Sequence, residues 1–263
     1  MFVSGAGRPA LTMVVPTYNE RDRIAALVDQ LFAACDGHVA VEVIVVDDNS
    51  PDGTGEWAET LAATRSLRVI HRRGKLGLGS AVLEGFAAAS ADVVGAIDAD
   101  LSHPPRLVPA LFSAMSEGDL DMVVASRYID GGGSEGFAFG RRLMSRTACL
   151  LSRSVTPVRD AMSGFFLIRR RCLEELEAST LGFKVGLELL VRARLRRVGE
   201  IPYTFVGRTT GESKMSAGEG MIFLRQLAAF FLRTPRRDAP LAYQALPAAS
   251  PRAGRTLDNV SVP

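Results

Sequence analysis

The sequence predicts an α/β fold, in which a mostly parallel, Rossmann-like sheet carries helices on both of its faces. Short apolar runs alternate along the first half of the chain with segments whose apolar residues recur at helical spacing. The apolar runs are continuous, which is typical of parallel strands that are buried on both faces. A polar cluster follows each of four runs. Because ligands of such sheets bind beyond the carboxyl ends of the strands, one shared cleft is expected there.

The first half of the chain supplies the clearest elements. Apolar runs between polar segments predict strands at 11–15, 41–46, 67–71, 92–97 and 122–126. Apolar residues that recur three and four positions apart predict the helices between them. The first of these helices would bury Ile24, Leu27, Val28, Leu31 and Phe32 on one face. The predicted helices are 20–35, 54–63, 79–90 and 104–116.

The second half of the chain has a different pattern. Three glycines at 131–133 predict a flexible joint, and the arginine-rich segment 139–154 after them has helical spacing. From residue 235 the chain is rich in Pro and Ala, which predicts a disordered tail. Further strands are predicted at 164–168 and 201–206, and further helices at 185–197 and 218–233.

Composition excludes several classes of protein. The 263 residues allow one large α/β domain or two small ones. A net charge of +2 gives no indication of a nucleic-acid partner, and none is expected. Cys35, Cys149 and Cys172 lie far apart without a CxxC motif, so a reducing compartment is expected and a zinc site or disulfide scaffold is not. No apolar run has the roughly 20 residues of a spanning helix, and no secretory leader is expected at 1–10.

The sharpest local motif is Asp98-Ala99-Asp100, directly after a predicted strand. Two carboxylates at the end of a buried strand are costly unless a cation neutralises them. At this spacing both reach one divalent ion and its bound phosphates, and oxygen ligands favour Mg²⁺ or Mn²⁺. The alternative is a solvated turn that ends the strand. The polar clusters at the other strand ends favour the metal site.

Two polar clusters follow the first two predicted strands. In the first, Tyr18 would stack on a base or a sugar and Glu20 would accept hydrogen bonds from it, although a helix cap explains this cluster equally well. In the second, the pair Asp47-Asp48 exceeds what a cap needs. A carboxylate that binds ribose fits this pair better.

A glycine-rich segment at 74–80 superficially resembles a phosphate-binding loop. It is not a Walker A motif, because no Gly-Lys-Ser/Thr begins the following helix. A tight turn is expected instead, with Lys75 close to a diphosphate. The histidines His38, His71 and His103 have no metal-binding spacing and are interpreted as structural.

Eight motifs, in this order, resemble those of the polyprenol-phosphate (dolichol-phosphate) mannosyltransferases, inverting enzymes of glycosyltransferase family 2 with a GT-A fold. They are VVPTYNE, VVDDNSPDGT, GKLGLGSA, IDADLSHPP, SRYIDGG, DAMSGFF, GFKVGLELL and RTTGESKM, and they lie within 11–232. The resemblance implies transfer of mannose from GDP-mannose to a polyprenyl phosphate, with Mg²⁺ or Mn²⁺ as cofactor. Ser102 departs from the pattern, because close relatives often have a metal-coordinating Gln at this position.

The resemblance also implies roles for individual residues. The nucleotide sugar would be bound by Pro16, Tyr18, Glu20, Val46, Asp47, Asp48, Lys75 and Ala99. Catalysis would depend on Asp98, Asp100, Arg127, Arg208 and Lys214, the first two as metal ligands. The acceptor phosphate and the sugar would meet Arg127, Arg141, Asp160, Ser163, Gly164 and Glu188.

The charges of these residues suit the implied reaction. A polyprenyl phosphate has its second pKa near 6, so it is an anion near neutral pH and needs no strong general base. The site must instead bring two anions together. Four cations and the metal would offset their repulsion and stabilise the departing diphosphate. These cations are Arg127, Arg141, Arg208 and Lys214.

The lipid acceptor implies a membrane surface as a partner. The chain is predicted to consist of an extension at 1–10, a catalytic domain at 11–216, an amphipathic helix at 217–234 and a tail at 235–263. The amphipathic helix, which includes Phe230 and Phe231, would lie in the membrane interface and place the enzyme peripherally on the cytoplasmic face. The alternative is packing against the core, which would make the 139–154 helix the next candidate.

Two other functions stay open. A family 2 enzyme can use another substrate pair, such as a UDP-sugar with glucose or an N-acetylhexosamine in place of GDP-mannose, or a soluble acceptor in place of the lipid. A catalytically silent module that binds a nucleotide sugar is the second alternative. The presence of Asp98, Asp100, Arg208 and Lys214 argues against it, because binding alone does not need them.

Overall fold

The apolar runs of the sequence form the strands of an eight-stranded sheet. The structure is a computed structural model that describes residues 9–136, 139–174, 176, 184–207, 230 and 240–248. Its strands are β1 (Leu11–Thr17), β2 (Val41–Asp47), β3 (Leu67–His71), β4 (Val93–Ala96), β5 (Met122–Ser126), β6 (Gly133–Glu135), β7 (Phe166–Arg169), β8 (Arg197–Pro202), β9 (Thr204–Val206) and β10 (Ala242–Ala245). The main sheet has the order β10-β8-β5-β7-β4-β1-β2-β3, and β6 and β9 form a separate pair.

The main sheet is mostly parallel, as the sequence predicts. Only β7 runs against its neighbours β4 and β5, and every other pairing in the described sheet is parallel. The central strands are buried along their whole length; all residues of β2 and of β5 are buried. Continuous burial explains why these strands are continuous apolar runs in the sequence.

Helices cover both faces of the sheet. They are α1 (Arg21–Cys35), α2 (Thr54–Ala62), α3 (Leu78–Ala88), α4 (Val108–Glu117), α5 (Phe139–Ser152) and α6 (Val185–Arg192). One apolar core joins the sheet to α1, α2 and α4, with Leu31 and Leu111 fully buried in it. A second core on the other face joins it to α3 and α6, with Phe86 and Leu189 buried in it. The predicted covering of both faces is confirmed.

One predicted helix is shorter than expected. The helix predicted at 185–197 ends at Arg192, and Arg197 already belongs to β8. The buried carboxylate of Asp121 accepts the backbone N–H of Arg197 and so holds this residue in the sheet. The same carboxylate accepts the N–H of Arg196, and Arg197 pairs with Ala242 of β10, so these contacts together override the helical pattern of the sequence.

Two other predictions fail in the same region. The strand predicted at 201–206 is two strands of different sheets, since β8 ends at Pro202 in the main sheet and β9 pairs with β6. The N–H of Tyr203, between them, still bonds the carbonyl oxygen of Ser126 at the carboxyl end of β5. The glycines at 131–133 are not simply a flexible joint, since Gly133 begins β6 and pairs with β9.

The predicted disordered tail at 235–263 is wrong for Ala242–Ala245, which form β10 at the edge of the main sheet. This strand pairs in parallel with β8. The half-buried Tyr243 packs against the second core, and its hydroxyl bonds a buried carboxylate. A short strand with one half-buried side chain leaves no apolar run in the sequence.

The predicted membrane helix at 217–234 lies outside the described residues except for Phe230. The side chain of Phe230 is 3% exposed and belongs to the second core. The guanidinium of Arg192 in α6 lies 5.3 Å from the centre of its ring. The expectation that Phe230 enters the membrane is therefore wrong. Among the described helices, none has the length and apolar character needed to cross a bilayer.

Candidate active site

Polar residues from both halves of the chain lie at one edge of the main sheet. The parallel strands β1, β2, β4 and β5 all end there. Because β7 runs in the opposite direction, the segment 160–165 that precedes it reaches the same edge. The direction of one strand therefore brings residues that lie far apart in sequence to the end of the sheet where ligands bind.

The carboxylate pair lies directly after β4. The Asp98 side chain is 40% exposed, and its backbone N–H donates to Nδ1 of the buried His103 at 3.4 Å. Oδ1 of Asp100 accepts hydrogen bonds from the N–H of Ser102 at 2.9 Å and from its hydroxyl at 2.5 Å. These bonds hold a turn in which Leu101 has a φ of 62°. Ser102 thus orients Asp100.

The ring of His103 lies in an aromatic cluster next to this pair. It stacks on Phe165 at 5.3 Å and meets the edges of Tyr203 and Phe205 at 5.8 and 5.7 Å. Burial lowers the pKa of His103 below its ordinary value, although the nearby carboxylates oppose this shift. A neutral ring leaves Nδ1 free to accept the N–H of Asp98. His103 is interpreted as structural from its spacing in the sequence. In the structure it supports the fold and also contacts the backbone of Asp98 at the site.

The buried Asp47 joins the ends of β1 and β2. Its Oδ1 accepts hydrogen bonds from the hydroxyls of Thr17 at 3.1 Å and Ser50 at 2.5 Å. Its Oδ2 accepts the N–H of Ser50 at 2.9 Å. The hydroxyl oxygen of Ser50 in turn accepts the N–H of Asn19 at 3.0 Å. Asp47 therefore holds together the two turns that carry the predicted nucleotide-binding clusters.

A buried ion pair joins Asp48 to Arg72, which follows β3. The other oxygen of Asp48 accepts the N–H of Gly77 at 3.0 Å, and Nη2 of Arg72 donates to Ser80 at 2.7 Å. Both partners thereby fix the glycine-rich segment 74–80. Gly77 has a φ of 98°, which favours glycine, so the predicted tight turn is present.

Lys75 connects this glycine-rich turn to Tyr18, in the polar cluster that follows β1. Its Nζ lies 3.9 Å from the centre of the Tyr18 ring, a cation–π contact. Tyr18 is 38% exposed and offers its ring at the edge of the sheet. The N–H of Glu20 donates to Thr54 at 3.0 Å, and the Glu20 carboxylate accepts a hydrogen bond from Arg23 at 3.1 Å.

Three predicted nucleotide-binding positions have side chains that belong to the fold. Val46 is fully buried in the second core, and Ala99 is buried in the first. Pro16 is part of β1 and lies in register with Val46. A ligand would therefore meet the backbone of Val46 and Ala99 rather than their side chains.

Arg127 follows β5 and is held by Asp160 from the segment before β7. Nε and Nη2 of Arg127 each donate to an Asp160 oxygen at 2.7 Å, and its N–H donates at 2.9 Å. Burial alone would lower the pKa of Arg127, but the hydrogen bonds and charge of Asp160 raise it above its ordinary value. Arg127 is therefore a fixed cation. Within the described part of the chain, its Nη1 makes no hydrogen bond.

The segment before β7 passes close to the carboxylate pair. A Cβ at Gly164 would lie 3.5 Å from an oxygen of Asp98, so a small side chain at this position would just reach the carboxylate. A Cβ at Gly186 would lie 2.7 Å from the carbonyl oxygen of Ser163, so α6 begins directly against this segment. Glu188, two residues further along α6, is fully buried.

The helix α5 packs beside the Arg127 site. Sγ of Cys149 in α5 donates to an Asp160 oxygen at 3.6 Å. Arg141 lies in the first turn of this helix, and its side chain lies outside the described part of the structure. The predicted cations Arg208 and Lys214 also lie outside the described residues.

The carboxylate pair fits a divalent ion. In the described ranges, no group of three or more His, Cys, Asp and Glu side chains is arranged to bind a metal. Mg²⁺ is commonly held by one or two carboxylates together with substrate phosphates and water, so the number of carboxylates at Asp98 and Asp100 matches such a site. The exposure of Asp98 leaves room for a diphosphate that shares the ion.

Some residues that organise this edge are not apparent from the sequence. Arg72 is one of two adjacent arginines, and its signal is its position directly after a strand that ends at this edge. Ser50 is hidden among the acidic residues of its turn. Glu200 is a charged residue inside a strand, which an apolar pattern cannot identify.

Comparison with known proteins decides the family. Residues 12–177 match the family model "Glycosyl transferase family 2". The chain belongs to glycosyltransferase family 2. The prediction that it is a glycosyltransferase is confirmed, and its sheet with helices on both faces is a GT-A-like fold.

Several relatives of this family 2 enzyme are named dolichol-phosphate mannosyltransferase, which confirms the resemblance found in its motifs. The relative from Pyrococcus furiosus is 38% identical over 82% of this chain and 62% of its own length. The relative from Saccharomyces cerevisiae is 38% identical over 84% of this chain and 86% of its own. The relative from Mycosarcoma maydis is 34% identical over 87% of this chain and 81% of its own length. The chain thus spans less than two thirds of the Pyrococcus relative.

Solved structures agree with the fold of this family 2 enzyme. Glucosyl-3-phosphoglycerate synthase from Mycobacterium tuberculosis, in complex with Mn²⁺, UDP and glucosyl-3-phosphoglycerate, aligns over 89% of this chain and 82% of its own with a TM-score of 0.59 and 24% identity. A mannosyltransferase from Pyrobaculum calidifontis in complex with GDP-Man and Mn²⁺ aligns over 85% of this chain and 63% of its own length. Its TM-score is 0.55 and its sequence identity is 18%.

Proposed function

We propose that this family 2 enzyme transfers mannose from GDP-mannose to a polyprenyl phosphate with inversion, forming polyprenyl-phosphate β-mannose. The names of relatives that are 34–38% identical over 82–87% of the chain support this function. The structural observation that carries it is that a carboxylate pair and a fixed guanidinium lie at one edge of the sheet. His103 lies close enough to Asp98, Asp100, Arg127 and Asp160 that the charge of each acts on its ring.

The nucleoside half of the donor would bind at the ends of β1 and β2. Tyr18 offers a partly exposed ring on which a base or sugar can stack. The carboxylates of Asp47 and Asp48 lie at the same edge in turns that are already fixed by hydrogen bonds. Lys75 supplies a positive charge beside Tyr18, where it would meet the diphosphate.

Asp98 and Asp100 would hold Mg²⁺ or Mn²⁺ on the donor diphosphate. A bound divalent ion supplies positive charge that stabilises the departing diphosphate. Ser102 keeps one oxygen of Asp100 in two hydrogen bonds. His103 holds the backbone of Asp98. The carboxylates are therefore positioned before the donor binds, which lowers the reorganisation needed during reaction.

Arg127 would bind the acceptor phosphate through Nη1, because Nε and Nη2 are occupied by Asp160. The phosphate oxygen is already an anion near neutral pH and can attack the anomeric carbon directly. A bond forms between this oxygen and the anomeric carbon as the bond from that carbon to the diphosphate breaks, and GDP leaves. Attack in line with the leaving group inverts the α-linked donor to a β-linked product.

The lipid tail of the acceptor requires a membrane surface, and α5 fits this role. Leu143 and Leu150 lie seven residues apart on one face of the helix and are 56% and 65% exposed. Met144 and Leu151 repeat this spacing on the adjacent stripe and are also exposed. Full burial of an exposed side chain of this kind contributes about 1.5–3 kcal/mol, and each of these partly covered side chains would contribute a part of that. The same helix contacts Asp160, so it would bring the Arg127 site to the cytoplasmic surface of a membrane.

A donor and acceptor assay tests the function. The purified chain is incubated with polyprenyl phosphate, Mg²⁺ or Mn²⁺, and in separate reactions GDP-mannose, UDP-glucose or UDP-N-acetylglucosamine. Lipid-linked β-mannose from GDP-mannose alone is expected, and the Asp100→Asn variant serves as the inactive control. Product from a UDP-sugar alone would reassign the donor. Nucleotide-sugar binding without product from any donor would instead support a silent binding module.

A further inference from the structure

The C-terminal strand β10 contacts the active-site edge through one buried carboxylate. The hydroxyl of Tyr243 in β10 donates to Oε2 of Glu200 in β8 at 2.7 Å. The same oxygen accepts the N–H of Arg159 at 2.8 Å, and Oε1 accepts the N–H of Asp160 at 2.9 Å. Glu200 therefore ties β10 to the turn that carries Asp160.

Asp160 is in turn the group that holds Arg127. Its two oxygens accept three hydrogen bonds from Arg127, at 2.7, 2.7 and 2.9 Å. The path from Tyr243 through Glu200 and Asp160 to Arg127 thus consists of short hydrogen bonds, and Glu200 and Asp160 are fully buried. The hydrogen bonds of a buried network polarise one another and hold its members in place, so the loss of one bond loosens the next residue along the path.

Glu200 depends on every one of its donors. Within the described residues it forms no ion pair, so three hydrogen bonds balance its buried charge. Hydrogen bonds to a buried charge are among the strongest in proteins, and leaving such a group partly unsatisfied is costly. Burial raises the pKa of Tyr243, and the bond to Glu200 raises it further, so its hydroxyl remains a donor at neutral pH.

We propose that Tyr243 and Glu200 are positioning residues for the acceptor phosphate: β10, docked through the Tyr243 hydroxyl, fixes the Arg159–Asp160 turn and so the orientation of Arg127. This inference rests on the proposed contact between Arg127 and the acceptor phosphate. It assigns a role in acceptor binding to a strand at the far edge of the sheet. The donor side, at β1 and β2, has no part in the path.

The Tyr243→Phe variant of the full chain tests the proposal, because it removes the hydroxyl and keeps the ring that packs against the core. The KM for a short-chain polyprenyl phosphate is expected to rise about 3- to 10-fold, while the KM for GDP-mannose stays within twofold. The matched control is Gln244→Ala, an exposed neighbour on the same strand, with both constants unchanged. An unchanged acceptor KM in Tyr243→Phe, or an equal rise in both constants, would overturn the proposal.

The Glu200→Gln variant provides a second test. Each Glu200 oxygen accepts a different backbone N–H, so the amide nitrogen of Gln would face one of these donors. A larger rise in acceptor KM than in Tyr243→Phe is expected, again with little change for GDP-mannose. Loss of activity for both substrates in proportion to lost folded protein would mean a purely structural carboxylate.

Hydrogen exchange separates this proposal from the proposed function. In Tyr243→Phe without substrates, the amides of Arg159 and Asp160 are expected to exchange at least about tenfold faster, while those of β1 and β2 are unchanged. Unaltered exchange at both amides would overturn the coupling. The acceptor role of Arg127 is tested separately, since Arg127→Ala with a normal acceptor KM would refute that role whatever the exchange shows.

Discussion

The guanidinium of Arg127 and the carboxylate of Asp160 meet through two hydrogen bonds of 2.7 Å, where Arg127 follows β5 and Asp160 lies in the segment before the oppositely directed β7. The fork of an arginine matches a carboxylate in this geometry, and a lysine cannot reproduce it. The pair therefore sets the direction of the remaining guanidinium nitrogen. This arrangement makes the acceptor site sensitive to the shape of the cation as well as to its charge.

The Arg127→Lys variant is expected to raise the acceptor KM at least about tenfold, a loss typical of one charge-assisted hydrogen bond. The KM for GDP-mannose should change little, because the donor is proposed to bind at the other strand ends. Initial rates with varied lipid and fixed donor measure the first constant. The exposed Arg106 offers the control, and Arg106→Lys should behave like the natural chain. Equal KM values for the acceptor in both variants would refute the role of Arg127.

The Asp100→Ala variant is expected to lower turnover by at least about 10²-fold, since it removes electrostatic stabilisation of the leaving group. The protein should remain folded, because Asp100 is only partly buried. Electron paramagnetic resonance of Mn²⁺ with GDP reports metal affinity independently of turnover. Ser102→Ala, which keeps the backbone bond to Asp100, should show a smaller loss of affinity. Full turnover of Asp100→Ala, or full turnover in excess chelator, would exclude the metal site.

Replacing both Leu143 and Leu150 by Glu is expected to release the protein from anionic liposomes without a change in thermal stability, because both side chains are exposed. Sedimentation with liposomes and a melting curve measure the two effects. Trp57→Glu, an exposed apolar residue of another helix, is the control and should still sediment. Phe230→Glu should instead destabilise the fold, since it places a charge in the second core. Sedimentation of the double variant at the natural level would exclude α5 as the membrane contact.

The Asp121→Asn variant is expected to lower the free energy of unfolding by about 1–3 kcal/mol at neutral pH. Burial would raise the pKa of Asp121, but hydrogen bonds from the N–H groups of Arg196 and Arg197 and from the Arg171 side chain lower it below 3.8. The unfolded chain then binds the proton more readily, so this stabilisation is complete above the ordinary pKa of Asp and is lost as the pH falls through the lowered value.

Urea unfolding of the natural chain and of Asp121→Asn between pH 7 and pH 3 checks this prediction. The difference in unfolding free energy should be constant above pH about 5 and should shrink as the carboxylate of the natural chain becomes protonated. Arg106→Ala, which changes an exposed charge, controls for general effects of charge. A difference that stays constant down to pH 3 would contradict the lowered pKa.

The first half of the fold follows closely from the sequence. The strands β3 and β5 have the predicted bounds, because an apolar run between polar segments has few alternatives in a parallel sheet. The order of the strands does not follow, since nothing in the local pattern shows that β7 enters between β4 and β5. The contact of Asp160 with Arg127 depends on that insertion, and the family resemblance implies only that both residues serve the acceptor phosphate and the sugar.

The second half shows where local patterns fail. In β8 the charged Glu200 is fully buried, so the strand lacks the apolar run by which a buried strand is predicted. In β10 a single half-buried Tyr243 holds a strand in a segment whose composition suggests disorder. Phe230 belongs to an apolar stretch that fits a membrane as well as a core. In each case contacts with distant residues decide the outcome, and such contacts leave no periodic signal.

The antiparallel insertion of β7 also sets the order in which the sheet can be completed during synthesis. Among the described strands, β5 pairs with β7 and β8, both of which are translated after it. A nascent chain that ends before Phe166 can assemble β3, β2, β1 and β4, yet it leaves β4 as an open edge and β5 without a neighbour. Open edges of this kind promote aggregation. Premature termination would therefore yield an aggregation-prone part of the sheet that holds only the proposed donor-binding strands. The four residues of β7 cover the open edge of β4 and join it to β5.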